Sequence, residues 1–290
     1  MGVRHFISRS CLIVTPKRNS PLWRCEFLWA QVALWSLGLL STAGMKGLAV
    51  ASTNSSPFGV KALAFDVFGT VVDWRGSIIR EGLQWGQAKG LQIDWAKFAD
   101  RWREGYRPTM DKVRKGALPW MKLDDLHRLI LDDLLTEFKV TGLTAEEKEH
   151  WNRVWHRLRP WSDVVDGLLR LKQKFVLSTL SNGNISLLVE MARLAGLPWD
   201  AVLSAELFHH YKPDREVYLG AVELLGCKPA ELMMVAAHPD DLQAAQAWGL
   251  RTAFVSRPLE YGSAKKAVSG IGEPFEVMAR DFQELATKLL

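Results

Sequence analysis

The chain has 290 residues, of which 48% are hydrophobic and 24% are charged, so it can form one sizeable core and a smaller second unit. Its formal net charge of +5 comes from residues 1–46, which hold six basic residues and one acidic residue, while the remaining chain holds 31 of each sign. A neutral globular part excludes the basic surface that binds polyanions, and we expect no nucleic-acid partner.

Residues 1–58 are interpreted as an N-terminal extension before the folded domain. Residues 27–45 carry no charge, follow a basic stretch and lead to Ala49-Val50-Ala51, a pattern typical of a secretory signal with a small-residue cleavage site. The run is also long enough for a membrane anchor. The third interpretation is an over-long reading frame that truly begins at Met45, because the domain pattern starts near Val60. We expect a cytoplasmic protein. The alternatives are export through the N-terminal segment, or a membrane anchor if residues 27–45 are retained.

Short apolar runs of strand length punctuate the domain, and helix-length amphipathic stretches separate the later ones. The runs are Val60–Phe65, Phe175–Leu180, Ala201–Leu203, Leu232–Ala237 and Thr252–Ser256, and the helical stretches are Ile185–Ala195, Glu216–Leu225 and Asp241–Trp248. Such alternation predicts βαβ units and a parallel sheet covered on both faces. We therefore expect an α/β fold with a Rossmann-like parallel sheet.

Residues 74–161 interrupt this alternation with helical periodicity alone. The clearest helices are Ile93–Val113, Leu123–Phe138 and Ala145–Leu158. Thr144 followed by Glu147 predicts a capping box at the start of the third helix. An all-helical insertion after the first strand predicts a cap over the carboxyl ends of the sheet. We place the core at residues 59–73 and 162–290, and the cap at residues 74–161.

Polar side chains stand where four of the predicted strands end. The segments are Phe65–Thr70, Leu180–Asn184, Tyr211–Asp214 and Ala236–Asp241. Because the carboxyl ends of parallel strands meet at one edge of a sheet, we expect these segments to converge there. Asp66 in the first segment is by itself equally consistent with a cap on the following turn. Its convergence with the other three segments favours a functional site.

These four segments, in this order and with a helical insertion after the first, resemble the haloacid dehalogenase superfamily. The likeness covers about Val60–Phe254. Within the superfamily, the first three segments, with Tyr218 six residues after Lys212, resemble the type II (S)-2-haloacid dehalogenases. The resemblance implies that a small 2-haloacid is hydrolysed to a 2-hydroxy acid through a covalent aspartyl ester.

Two positions separate this chemistry from phosphate hydrolysis. A phosphohydrolase of the superfamily uses Mg²⁺ to relieve charge repulsion and an acid two residues after the nucleophile to protonate the leaving oxygen. Phe68 occupies that acid position, and Ala237 stands where an acidic metal ligand is usual, four residues before Asp241. A halide leaves as a stable anion and needs neither group. We therefore expect no metal and no cofactor.

The resemblance assigns catalytic roles to residues of the strand-end segments. It implies that Asp66 attacks the carbon that bears the halogen and that water then hydrolyses the ester. Lys212 would keep Asp66 ionised and oriented, although a structural ion pair would look the same in sequence. Asp241 matches the family carboxylate that positions Lys212 and the hydrolytic water.

The cap would contribute a cation to the site. Arg103 resembles the arginine that the family's cap sends to the departing halide. Arg101 and Arg107 are alternative candidates for this role, because both are near in sequence. A solvated helix face is the alternative for all three.

The resemblance also places a set of residues around the substrate: Phe68, Thr70, Ser181, Asn182, Tyr218 and His238. Thr70 and Ser181 would hold the substrate carboxylate, or else make ordinary turn hydrogen bonds. Asn182 contacts the leaving halogen or only braces its loop. Tyr218 steadies Lys212 or packs in the core.

The fourth segment departs from the dehalogenase pattern. Where the family usually has serine, asparagine and tryptophan, this chain has Ala236, His238 and Asp240. His238 replaces the asparagine as a hydrogen-bond partner, acts as a base, or is a structural histidine. Two alternatives to dehalogenation stay open: a Mg²⁺-dependent phosphohydrolase, and a binding protein of the same fold with a changed pocket. The expected partners are a small haloacid and, by resemblance, a second copy of the chain.

Overall fold

The computed structural model describes residues 58–263, 272 and 274–290, and the structural statements below concern these residues. The helices are α1 (Trp74–Lys89), α2 (Trp95–Arg114), α3 (Leu123–Glu137), α4 (Ala145–Asn152), α5 (Val164–Leu171), α6 (Ile185–Ala195), α7 (Arg215–Leu224), α8 (Pro239–Ala247) and α9 (Phe282–Leu289). The strands are β1 (Ala62–Phe65), β2 (Val72–Asp73), β3 (Arg159–Pro160), β4 (Val176–Ser181), β5 (Ala201–Ser204), β6 (Leu232–Ala236), β7 (Arg251–Val255) and β8 (Val277–Ala279).

The hypotheses of a signal, an anchor or an over-long reading frame concern residues outside the described ranges. Inside those ranges, no helix combines the length and the apolar character needed to cross a membrane.

Six parallel strands form the main sheet in the order β5-β4-β1-β6-β7-β8, and helices cover it, so the predicted α/β class is confirmed. The five apolar runs predicted as strands correspond to β1, β4, β5, β6 and β7. Strand β8 has no counterpart in the sequence prediction. It has only three residues at the sheet edge, and so short a run carries too little alternation to be recognised.

Strand β1 lies at the centre of the sheet between β4 and β6, and every one of its residues is buried. Leu63 and Phe65 pack on one face, where the Phe65 ring lies 5.6 Å from that of Phe282 in α9. Ala62 and Ala64 pack on the opposite face with residues of α7 and α8. This alternation follows from the two-residue period of a strand. The residue after β1 therefore emerges at the middle of the sheet edge.

Helices α1 to α4 lie between β2 and β3, as the helical periodicity of this segment predicts. Strands β2 and β3 pair antiparallel and tie the outgoing chain to the returning chain. This two-residue ladder was not expected, because the sequence prediction treats the whole segment as helical. The helices enclose an aromatic core of buried Trp95, Phe98, Trp102, Trp151 and Trp155.

The predicted capping box begins α4. Thr144 Oγ1 accepts a hydrogen bond from the Glu147 N–H at 3.2 Å, and Glu147 Oε2 accepts one from the Thr144 N–H at 3.0 Å. These bonds satisfy two backbone donors that a helix start leaves unpaired. The α-helix ends at Asn152, earlier than expected, and a 3-10 helix over Arg153–Arg157 continues the segment.

Candidate active site

Asp66 emerges from β1 with its backbone still held in the sheet, because its N–H donates to the Val235 carbonyl at 3.0 Å. Its buried carboxylate receives three hydrogen bonds. Lys212 Nζ donates to Oδ1 at 3.0 Å, while Thr70 Oγ1 and His238 Nδ1 donate to Oδ2 at 2.7 and 3.0 Å. Burial opposes ionisation, but the adjacent cations and donors hold the pKa of Asp66 well below its ordinary value. Asp66 is therefore a carboxylate at neutral pH.

Lys212 is a fixed cation between two carboxylates. Its ammonium also donates to Asp241 Oδ2 at 2.6 Å, and the Tyr218 hydroxyl donates to Asp241 Oδ1 at 2.7 Å. The backbone N–H of Lys212 donates to Asn182 Oδ1 at 2.8 Å, which fixes the loop that carries the lysine. Burial disfavours the ammonium, yet the two carboxylates outweigh it and raise the pKa of Lys212. Burial and the charge of Asp66 raise the pKa of Asp241.

His238 bridges the site to Glu260, a residue that the sequence prediction missed. Its Nε2 lies 3.1 Å from both oxygens of Glu260, and the Trp74 indole N–H donates to Oε1 at 3.1 Å. Burial lowers the pKa of His238, but Glu260 and Asp66 together raise it well above the usual value. With carboxylate oxygens at both ring nitrogens, His238 is a charged double donor.

A cavity of about 480 Å³ opens onto these groups. Most of the predicted site residues line it, namely Asp66, Phe68, Arg103, Asn182, Lys212, Tyr218, His238 and Asp241. Helix α2 closes the opposite side with Arg103, Tyr106, Arg107 and Met110. The structure therefore brings residues of the helical segment against the strand-end residues.

Arg103 differs from the alternative candidates Arg101 and Arg107 in its surroundings. Its guanidinium carbon lies 4.4 Å from the centre of the Tyr106 ring, and its Nη1 is buried with no hydrogen-bond partner among the described residues. Arg101 is exposed and bound to Glu137 at 3.1 Å. Arg107 sits at the exposed rim and pairs with Asp240. Arg103 alone of the three thus has a buried cationic N–H without an acceptor among the described residues.

Thr70 and Ser181 are not among the described residues that line the cavity, and their contact with a substrate stays a prediction. The Thr70 hydroxyl donates to Asp66 and accepts from the Ala237 N–H at 2.9 Å. Ser181 Oγ accepts from the Gly183 N–H at 3.1 Å. Both hydroxyls make hydrogen bonds within the protein, Thr70 after the end of β1 and Ser181 at the end of β4.

The Lys212 ammonium bridges Asp66 and Asp241, so both carboxylates have a cationic partner within the protein. The described residues contain no cluster of three or more His, Cys, Asp or Glu side chains with a geometry suited to a metal. Ala237, at the position of the usual extra ligand, offers only a methyl group.

Comparison with known proteins shows which family the chain resembles. The model of the haloacid dehalogenase-like hydrolase family matches residues 60–249. The chain belongs to this family. Among curated relatives of this hydrolase, an (S)-2-haloacid dehalogenase of Burkholderia cepacia is 28% identical over 236 residues, covering 78% of this chain and 98% of the relative. An (S)-2-haloacid dehalogenase of a Pseudomonas species is 26% identical over 232 residues, covering 76% and 97%.

Solved structures give a closer match to this hydrolase. The crystal structure of an L-2-haloacid dehalogenase is 46% identical, with a TM-score of 0.77 and coverage of 79% of this chain and 98% of the other. A defluorinating L-2-haloacid dehalogenase is 42% identical, with a TM-score of 0.78 and coverage of 81% and 98%. The predicted membership of the haloacid dehalogenase superfamily is thus confirmed.

Replacing Lys212 by Met tests the charge arrangement. Without the ammonium, burial and mutual repulsion raise the pKa values of Asp66 and Asp241, so the folded state binds protons more tightly than the unfolded state. We expect the variant to lose about 3–5 kcal/mol of unfolding free energy near neutral pH. The loss should shrink as the pH falls toward about 5, because protonation relieves the repulsion. Urea denaturation at both pH values measures it.

Lys172→Met is the matched control, because Lys172 pairs with Asp200 near the protein surface. Its unfolding free energy should change by less than about 1 kcal/mol at either pH. An equal loss at both pH values in Lys212→Met would contradict the predicted repulsion between the two carboxylates.

Proposed function

We propose that this hydrolase cleaves the carbon–halogen bond of a small 2-haloacid and yields the 2-hydroxy acid, through an ester on Asp66 and without a metal. The observation that carries the proposal is the ionised Asp66 carboxylate at the inner end of a cavity whose opposite wall holds Arg103 Nη1, a buried donor without a described acceptor. The dehalogenases among its relatives support the same reaction.

In the first step Asp66 displaces the halide. A lone pair of the carboxylate forms a C–O bond to the carbon that bears the halogen, and the carbon–halogen pair leaves with the halide. Lys212 holds the carboxylate in place at 3.0 Å. Arg103 stabilises the negative charge that develops on the halogen, in a site where burial strengthens the interaction.

Asn182 is placed to serve both roles considered for it. Its Oδ1 accepts from the Lys212 N–H at 2.8 Å and so braces the loop. Its amide nitrogen lies 3.5 Å from Met110 Sδ, a weak acceptor, and the Asn182 side chain also hydrogen-bonds to that of Tyr106. An incoming halogen or carboxylate oxygen is a better acceptor than a thioether, so the substrate takes this donor.

In the second step water hydrolyses the ester. Water attacks the carbonyl carbon of the Asp66 ester, one of its protons goes to the departing alkoxide, and the other is released. Asp241 is the carboxylate nearest to Lys212, and its raised pKa suits the acceptance of a proton. The carboxylate of Asp66 is thereby restored.

Phosphate transfer is disfavoured by the residues present. Phe68 offers no proton to a leaving oxygen, and its ring instead packs edge-on against Trp155 at 5.7 Å between centroids. Ala237 offers no carboxylate at the position of the usual extra metal ligand, and the Lys212 ammonium already pairs with both Asp66 and Asp241. A halide leaving group requires neither an acid nor a metal.

The reaction class can be tested with two substrates. The purified protein should release chloride from (S)-2-chloropropionate at a rate that EDTA does not change, and Asp66→Asn should abolish the release. We expect no phosphate release from p-nitrophenyl phosphate with Mg²⁺. Mg²⁺-dependent phosphate release without halide release would refute the proposal, and inactivity toward both substrates would favour a binding protein.

Oxygen isotopes test the covalent ester. In a single turnover in H₂¹⁸O, with protein in excess, the label should appear on Asp66, because water attacks the carbonyl carbon of the ester. Mass spectrometry of the peptide that contains Asp66 and of the product measures its location. Label that appears directly in the hydroxy acid would mean that water attacks the substrate itself.

Replacing Arg103 by Met tests halide binding. We expect kcat for chloride release to fall about 10²-fold, as when one donor to a developing anion is removed. The loss should be larger for 2-fluoropropionate, because fluoride is the poorer leaving group. This substrate is chosen because a relative at 42% identity is a defluorinating enzyme. Arg101→Met, at an exposed arginine of the same helix, should leave kcat unchanged. Equal effects of the two substitutions would argue against a role for Arg103.

A further inference from the structure

Glu260 is a buried carboxylate behind the site. It is 1% exposed and lies outside the set of described residues that line the cavity. The close approach depends on Gly69, whose φ is +87° and whose missing Cβ would lie 2.2 Å from Glu260 Oε1. A residue with a side chain at position 69 would displace Glu260. The turn after Asp66 is thus shaped to admit this carboxylate.

Glu260 faces the far side of the His238 ring. Its two oxygens lie 3.1 Å from Nε2, and Asp66 Oδ2 lies 3.0 Å from Nδ1 on the opposite side. A neutral imidazole has one donor and one acceptor nitrogen, and an acceptor nitrogen would face a carboxylate oxygen unfavourably. The arrangement is satisfied only by the charged ring, which donates to both carboxylates.

The two oxygens of Asp66 therefore differ. Oδ2 receives two hydrogen bonds, from Thr70 at 2.7 Å and from His238 at 3.0 Å. Oδ1 receives one, from Lys212 at 3.0 Å. A carboxylate oxygen has two lone-pair sites, so Oδ1 keeps one lone pair for a new bond, whereas both sites on Oδ2 are occupied.

We propose that Glu260 is a positioning residue, whose carboxylate holds His238 as a charged donor to Asp66 Oδ2. Oδ1 is then the oxygen that attacks the substrate, and Oδ2 becomes the carbonyl oxygen of the ester. This inference rests on the proposed dehalogenation. It adds a residue that acts on the reaction only through His238.

The pair of Glu260 and His238 acts in hydrolysis of the ester. When water bonds to the carbonyl carbon of Asp66, the π electrons move to Oδ2, which becomes an oxyanion held by Thr70 and the His238 cation. When the tetrahedral intermediate collapses, the Cγ–Oδ1 bond of Asp66 breaks, and Oδ1 leaves as the alkoxide oxygen of the product, which takes one proton of the water. The other proton is released, and the carboxylate returns to its initial state. Without the charge on His238, this second step loses its stabilising cation.

Several other groups set the charge state of the pair. Those that face His238 or Glu260 are Asp66, Trp74, Arg103 and Tyr261, with Lys212 and Asp241 on the far side of Asp66. Arg103 is a further cation near Glu260, and it lowers the pKa of that carboxyl together with His238, against the effect of burial. The pair thus stays charged among neighbours of both signs.

The test combines a titration without substrate and a kinetic separation of the two steps. Full-length protein with ¹⁵N-labelled histidine is titrated by NMR between about pH 6 and 9, around the ordinary histidine pKa of ~6.5, and His238→Asn identifies the signal. We expect His238 to remain an imidazolium over this range in the wild type. In Glu260→Gln its pKa should fall into this range, so that the imidazolium loses its proton between about pH 6 and 9.

Rapid-quench mass spectrometry with (S)-2-chloropropionate follows the ester. In Glu260→Gln, the rate of ester formation should not change, whereas ester decay should slow about 10²-fold at high pH. The midpoint of this pH dependence should equal the midpoint of the His238 titration measured by NMR. In the double variant His238→Asn, Glu260→Gln the pH dependence of ester decay should disappear, because an asparagine amide donates without a proton that titrates.

Three outcomes overturn the inference. These are a neutral His238 at pH 7 in the wild type, an unshifted histidine titration in Glu260→Gln, and an equal slowing of both steps without a shifted midpoint. If the wild type releases no halide, the proposed function fails, and the NMR titration still decides whether Glu260 holds His238 charged. If Glu260→Gln does not fold, Glu260→Asp takes its place: the shorter side chain withdraws the carboxylate from Nε2, and an unshifted histidine titration in that variant overturns the inference.

Discussion

The buried ammonium of Lys212 between Asp66 and Asp241 is the contact on which the site depends. Two carboxylates so close together cannot both be ionised in a buried place unless a cation lies between them. Lys212 provides it at 3.0 and 2.6 Å, so Asp66 remains a carboxylate and available as a nucleophile. One side chain thus balances the charge of both carboxylates and keeps Asp66 ionised in a buried place.

The parallel sheet explains why these charges meet. Strands β1, β4 and β6 are neighbours and end at the same edge, so Asp66, Asn182 and His238 converge although they are distant in sequence. Helix α2, from the segment between β2 and β3, supplies Arg103 to the opposite wall. The guanidinium carbon of this arginine lies 5.7 Å from the centre of the Trp74 ring, and that ring stacks on Trp155 of the aromatic core.

The sequence predicts most of the fold and the centre of the site, for reasons that particular residues make clear. Asp66 and Lys212 follow apolar runs in recognisable segments, and the structure joins them by a hydrogen bond. Glu260 could not be found, because it is a single acidic residue in an irregular stretch after β7, and only the backbone of Gly69 reveals its approach. The hydrogen bond from the Thr70 hydroxyl to Asp66 could not be predicted either, because the geometry of a single turn has no signature in composition or periodicity.

Charge balance connects the unusual fourth segment to the proposed reaction. Three buried cations, Lys212, His238 and Arg103, face the carboxylates of Asp66, Asp241 and Glu260. A histidine in place of the usual asparagine adds a positive charge, and Glu260 compensates it. A haloacid brings one negative charge into this neutral site. In the proposed first step, the negative charge of Asp66 passes to the halide. When the halide leaves, the carboxylate of the bound substrate is the one extra negative charge, and the site is neutral again. Electrostatics therefore favours release of the halide before the ester is hydrolysed.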